Sequence, residues 1–196
     1  MKKDKKNNSD KDAYNSDKGW VITVLFITFF LSLLFSYIST TSISSIGIIP
    51  ATLILLFVVL LGIFFDIIAT AVTVAKEQNF HAKAAKKIDG AKKAIKIIRN
   101  STKVANFCAD VIGDIAGVLS GALSSMIALK ITQYYNLSFD LQFLISAFVA
   151  SLTVSGKAIG KSIAKKYDYE IVDKLSKVFN FFGNLKNKIK NKLKKM

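Results

Sequence analysis

Three carboxylates and two hydroxyls carry the chemistry that this sequence offers. Asp66 stands in the middle of LLGIFFDIIATAVTV, residues 60–74, a run that otherwise reads as the interior of a membrane helix. A bare charge at bilayer depth costs at least about 2.5 kcal/mol, so such a residue meets a partner or lines a pathway. Asp110 and Asp114 stand four residues apart in FCADVIGDIAGVLSGALSS, which puts both on nearly one face of a helix. Thr70 and Thr73, one and two turns along from Asp66, add hydroxyls to its side. Oxygen ligands converging at one depth suit a hard cation such as Mg²⁺.

A second reading of the same residues stays open. The acids can be bonded to Thr, Ser and backbone groups and serve only to lock helices together. Two carboxylates on adjacent turns repel if both ionise, so a cation or a proton is needed to relieve them.

The elements that position these residues follow from composition. Of 196 residues 52% are hydrophobic and 21% charged, with a net charge of +15. A soluble domain needs more polar surface, so the apolar residues are expected to gather into spans. Four such runs are found, at about residues 20–38, 50–75, 104–129 and 141–160. The expected architecture is therefore all-α: a polytopic membrane protein with a basic leader (1–19), a transmembrane domain (20–164) interrupted by a basic loop (76–103), and a basic amphipathic tail (165–196). Counting ~1.5 Å per residue from the nearest lysine places Asp66 roughly 15 Å deep, Asp114 roughly 16 Å and Asp110 roughly 10 Å, so the three acids share a layer.

Cations fix the expected orientation. Lysines crowd the leader, the loop 76–103 and the tail, with twelve of them from residue 157 to 195, whereas residues 39–49 and 131–140 contain no Lys or Arg. By the positive-inside rule both termini and the middle loop face the cytoplasm, in the cell membrane. The long polar leader without a clean small-residue cleavage pattern reads as preceding an anchor, not a signal peptide. Flanking lysines orient spans and attract anionic lipid headgroups, so the partner expected is the bilayer and not nucleic acid. The tail spaces Ile171, Val172, Leu175, Val178, Phe179 and Phe182 as a helical stripe, and the loop does likewise with Ala85, Ile88, Ala91, Ile95 and Ile98. Both are expected to lie at the membrane surface.

Enzyme signatures are missing from the sequence. A single histidine, His81, permits neither a multi-histidine zinc site nor a conventional Ser/His/Asp arrangement, and the one cysteine, Cys108, reads as a small buried hydrophobe. SGKAIGKS, residues 155–162, falls short of a phosphate loop because Ser155 takes the first glycine position and the segment ends an apolar helix. The chain is therefore not expected to be an enzyme. Ala109, Gly113, Gly117 and Gly121 recur every four residues, a stripe through which a homodimer is expected to form.

From the second span onward the chain resembles the transmembrane domain of the CorB/CorC/CNNM family of magnesium and cobalt transporters. FFDIIATAVTV is similar to that family's FFSxSETALxS-like helix, and AKKIDGAKKAIKIIRN to the basic stretch that follows it. ADVIGDIAGVLSGA stands where the family has a GNNxxN-like patch, and SGKAIGKSIA where it has FGExxPKxxA. The resemblance covers about residues 50–180 and implies divalent-cation transport or binding, with Asp66, Thr70, Asp110 and Asp114 as metal ligands. It also implies departures. Asp66 replaces a serine ligand, Ile68 and Ala69 replace a Ser and a Glu, and Asp110 and Asp114 fall at or near asparagines. Lys157 stands where the family has an acid, so it is expected to be either a gate or a built-in counterion that leaves a non-transporting scaffold. The family's regulatory nucleotide-binding domains have no counterpart in these 196 residues.

Overall fold

The computed structural model describes residues 19, 21–34, 36–37, 46–139 and 141–193, with side chains to residue 181. The basic leader to residue 18 and residues 39–45 of the first connection lie outside the described residues.

Within the described residues the chain is entirely helical. Helix α1 is Val21–Leu34. It is followed by α2 (Ile48–Val74), α3 (Gln78–Ala85), α4 (Ala91–Arg99) and α5 (Ser101–Ala105). A π-helical segment, Asn106–Ile112, leads into α6 (Gly113–Tyr134), and α7 (Gln142–Lys166) and α8 (Asp168–Leu193) complete the chain. Three of these units are long and apolar enough to cross a membrane: α2, the continuous rod Ser101–Tyr134, and α7. They overlap the runs expected at 50–75, 104–129 and 141–160, the latter two helices extending further. The first expected span, 20–38, is described only over a helix shorter than the ~20 residues a crossing needs.

These β-branched, apolar stretches are helical because a backbone in hydrocarbon must bond to itself. Pro50 is accepted in the first turn of α2, where its missing N–H would have had no partner. Large side chains such as Phe57, Phe64, Phe143, Phe148 and Ile159 point outward and stay exposed, an apolar surface far beyond what a soluble monomer presents.

Helix α2 is the centre of the bundle. On one side Ala51, Leu55 and Val59 pack with Leu123 and Ile127 of α6, and Gly62 faces Ala116, whose Cβ would lie 3.0 Å from a Cβ placed on the glycine. On the other side α7 brings Gly156 and Gly160 against Ile63 and Ile67. A Cβ at Gly160 would approach Ile67 Cγ1 to 2.8 Å, and one at Gly156 would collide with Ile63. At this small-xxx-small pair α7 leaves no room for a side chain against α2, whereas Gly117 and Gly121 of the stripe 109–121 have open space beside them.

The lysine-rich end is capped by a helical layer. The apolar stripe expected along residues 85–98 as one surface helix is broken: Lys87 and Gly90 take positive φ (56° and 87°), the chain turns, and Ile88 is exposed. Only glycine suits position 90, since a Cβ there would also sit 2.9 Å from Ser176 Oγ. After the turn, Ala91 and Ala94 of α4 are buried, and Ile95 and Ile98 pack with Val172, Ile171 and Leu175 of α8. The part of the stripe expected to face lipid is thus spent on an internal contact, while Val178 and Phe179 remain exposed.

Phe80 is fully buried, its ring 5.0 Å from that of Tyr169. Lys83 lies over the Tyr169 ring and bonds Asp173 at 2.9 Å, and Lys177 bonds the other Asp173 oxygen at 2.8 Å. Arg99 donates to Glu77 through Nε (2.9 Å) and Nη2 (2.6 Å), with His81 Nε2 at 3.2 Å. Burial pushes the Asp173 carboxyl upward, but the bonds and charges of Lys177 and Lys83 outweigh it and hold it below its ordinary value. The Arg99 bond lowers Glu77, and bonds to Tyr169 and Asp173 raise Lys83.

Two outcomes follow from this packing. Lowered carboxyls stabilise the layer above the ordinary carboxylate range and lose that contribution as pH falls through their folded values. Raised Lys83 contributes at every pH below its ordinary value. Intrinsic-rate-corrected amide protection across α3, α4 and α8 should therefore be flat from about pH 5 to 9 and fall below about pH 4, with Asp173→Asn removing much of the acid step. The bundle should answer to size at position 160: Gly160→Ala, Val and Leu should lower the melting temperature in that order, the larger two by about 1–3 kcal/mol of stability.

Candidate cation site

Toward the lysine-rich end a cavity of about 380 Å³ opens between α2, the π-helical segment and α7. Its polar lining is Asp66, Thr70 and Thr73 of α2, Asn106 and Asp110 of the π segment, and Lys161 of α7. Asp66 is eight residues from the end of α2, about 12 Å along the axis. Residues 66, 70 and 73 fall on one side of α2 by their three- and four-residue spacing.

Asp66 is the unusual member. Its side chain is 8% exposed, and Oδ2 is buried without a hydrogen bond among the described residues. The nearest charge is Lys161 Nζ at 3.7 Å, on a side chain 53% exposed. That distance is an ion pair but not a hydrogen bond. The threonine hydroxyls donate to their own helix, Thr70 to the Asp66 carbonyl (2.9 Å) and Thr73 to that of Ala69 (2.8 Å). With their protons so engaged, the oxygens offer lone pairs.

The π segment shapes the other wall. Seven residues of wider turn interrupt the rod Ser101–Tyr134 at the cavity, and Asn106, Ala109 and Asp110 line it while Cys108 is buried on the other side. Such insertions are rare and cluster at functional sites.

The expected ligands thus divide. Asp66, Thr70 and Asp110 line one cavity, whereas Asp114 is exposed and outside it. No group of three or more His, Cys, Asp or Glu side chains is gathered among the described residues, so the three-acid layer is not assembled within one chain. Lys157 is not the lysine at Asp66. Its Nζ lies beside Gly113, 3.7 Å from where a Cβ there would be. The reason is directional: helical side chains lean toward the N-terminus, so from α7 the lysine one turn nearer the basic end reaches back to Asp66, while Lys157 reaches past it.

Lys161 and Asn106 are not singled out by the sequence pattern, yet both have a signal in it. Lys161 is four residues from Lys157, and Asn106 four residues before Asp110. The expected stripe is also divided: Ala109 lines the cavity, Gly113 is buried beside Lys157, and Gly117 and Gly121 are exposed.

Two carboxylates with hydroxyl and amide oxygens make a hard donor set. It fits Mg²⁺, which takes one or two carboxylates and keeps several of its waters. One carboxylate oxygen, Asp66 Oδ2, is already stripped of other partners. Compared with models of known protein families, with curated proteins and with solved structures, the chain matches none.

Proposed function

We propose that this chain is a multi-pass protein of the cell membrane, with four spans and both termini cytoplasmic, that binds and transports a divalent cation. Mg²⁺ is the first candidate, and Co²⁺ the second. The reading is carried by the buried Oδ2 of Asp66, which has no hydrogen bond among the described residues and lines a cavity that Asp110 also lines. It is supported by the order of motifs that resembles the CorB-type transporter domain, and the orientation by the lysines flanking each span. Within it Lys161 holds the place of the cation and swings out, as a half-exposed lysine can, when the ion arrives. The tail rests on anionic headgroups.

One observation favours a second reading. Lys161 already pairs with Asp66, so the acid and lysine can form a permanent polar lock in a scaffold that transports nothing. The two part in proteoliposomes. Transport requires Mg²⁺ flux in the parent, loss of it in Asp66→Asn and Asp110→Asn, and tighter Mg²⁺ binding in Lys161→Met, seen as a larger Mg²⁺-dependent rise in melting temperature. A parent with neither flux nor thermal response to Mg²⁺ is the scaffold.

Asp114 bears on assembly. Left exposed at hydrocarbon depth it is costly, and a second copy laid along the open side of α6 would cover it. Val118, exposed one turn away, reports on this: Val118→Cys in a Cys108→Ala background should give a disulfide-linked dimer in membranes, and a strictly monomeric product would refute the pairing.

A further inference from the structure

The seam between α6 and α7 carries polar side chains at intervals along its length. At the end away from the lysines, Gln142 Nε2 donates to Ser125 Oγ (3.4 Å). One turn on, Ser146 Oγ lies 3.2 Å from Ser124 Oγ. A groove of about 200 Å³ follows, with Ser146 and Thr153 on α7 and Gly117, Ser120 and Gly121 on α6. Then comes Lys157 beside Gly113, and then Lys161 beside Asp66 in the larger cavity. Elsewhere α7 exposes Phe143, Leu144, Phe148, Leu152 and Ile159, with Ser151, Ser155 and Ser162 among them.

Packing does not account for this seam. Where glycines serve close approach in this bundle, at Gly62, Gly156 and Gly160, a neighbour fills the space: Ala116, Ile63 or Ile67. At Gly117 and Gly121 an added Cβ would meet nothing within 4 Å. These two glycines make room, and the hydroxyls of Ser120, Ser146 and Thr153 share its lining with Val149, Ala150 and Val154. Of the groove's hydroxyls, Ser120 and Thr153 donate to the carbonyls of Gly117 and Val149, which leaves their oxygens as acceptors. Acceptors without free donors suit a cation and its waters. The groove has space for a few waters, each ~30 Å³ in liquid. Further toward the basic end, in the separate larger cavity, lies the buried Oδ2 of Asp66, which has no hydrogen bond among the described residues.

We infer that the α6–α7 seam is the route by which the cation passes between the Asp66 cavity and the far side of the membrane, with Lys157 as the barrier between its two halves. This rests on the cation reading proposed above. Lys157 makes no ion pair among the described residues, and it stands beside Gly113, about one turn from Lys161 and Asp110 of the larger cavity and one turn from Thr153 and Gly117 of the groove. A positive charge at that point repels a cation until the side chain moves.

The route is tested at Thr153, outside the Asp66 cavity. Thr153→Leu in the full chain, reconstituted in liposomes, should lower Mg²⁺ flux roughly tenfold or more while leaving the Mg²⁺-dependent rise in melting temperature at the parent's size. Lys157→Met should raise flux, and adding Thr153→Leu to it should remove the gain. Because a bulky residue can also disturb folding, Thr153→Cys in a Cys108→Ala background supplies a second measurement: a membrane-impermeant cationic methanethiosulfonate added on the side away from the lysines should modify it. Flux in Thr153→Leu equal to the parent's, or an introduced thiol inert to that reagent in protein that still binds Mg²⁺, overturns the route and leaves the cation site standing. A parent that neither binds nor passes Mg²⁺ overturns both.

Discussion

Ile63 and Ile67 of α2 can meet α7 at van der Waals distance only where α7 has no side chain, at Gly156 and Gly160. That approach decides the polar geometry of the bundle. It sets the azimuth of α7, so that Lys157 and Lys161 turn toward α6 and Asp66 instead of outward. Were α7 displaced by the few ångströms that a larger residue demands, Lys161 would lie out of reach of Asp66 and the cavity would lose its third wall.

Asp66 shows that electrostatics here is unbalanced. An ion pair to a half-exposed lysine contributes at most about 1 kcal/mol, whereas placing a carboxylate out of water costs several. Lys161 at 3.7 Å therefore offsets only part of that cost, and Oδ2 keeps an unmet demand for positive charge or a donor. A chain built for rigidity alone would meet that demand with a close hydrogen bond. By contrast, the basic-end layer meets its own: Asp173 receives two lysines at 2.9 and 2.8 Å, and Glu77 receives a forked arginine.

Much of this was legible in the sequence, since runs of apolar residues of bilayer length have few alternatives to helix. Helical spacing puts Thr70 on the side of Asp66, but counting residues from the flanking lysines matches Asp66 to Asp114 more closely than to Asp110, the acid that shares its cavity. Azimuth was harder. Small residues at 109, 113, 117 and 121 resemble those at 156 and 160, but only neighbours tell which pair is filled and which is left open. The family resemblance points to Lys157, whereas it is Lys161, one turn nearer the basic end, that reaches Asp66, because a linear motif locates Cα atoms and ignores the backward lean of long side chains. The π segment has no compositional mark, and the break at residues 87–90 depends on a left-handed glycine pressed against Ser176, a contact between distant parts of the chain.

Tyr167 is the single residue between α7 and α8. The helix before it is buried only at Gly160 and Ala164, both near its basic end, and the helix after it is pinned to α3 and α4 through Asp173, Val172 and Ser176. α7 is therefore held most firmly at its basic end, and more lightly at the other, by the Ser146 and Gln142 contacts to α6. Any tilt has its fulcrum near Tyr167, and the displacement grows along the lever arm, smallest at Lys161 and largest toward Ser146 and Gln142.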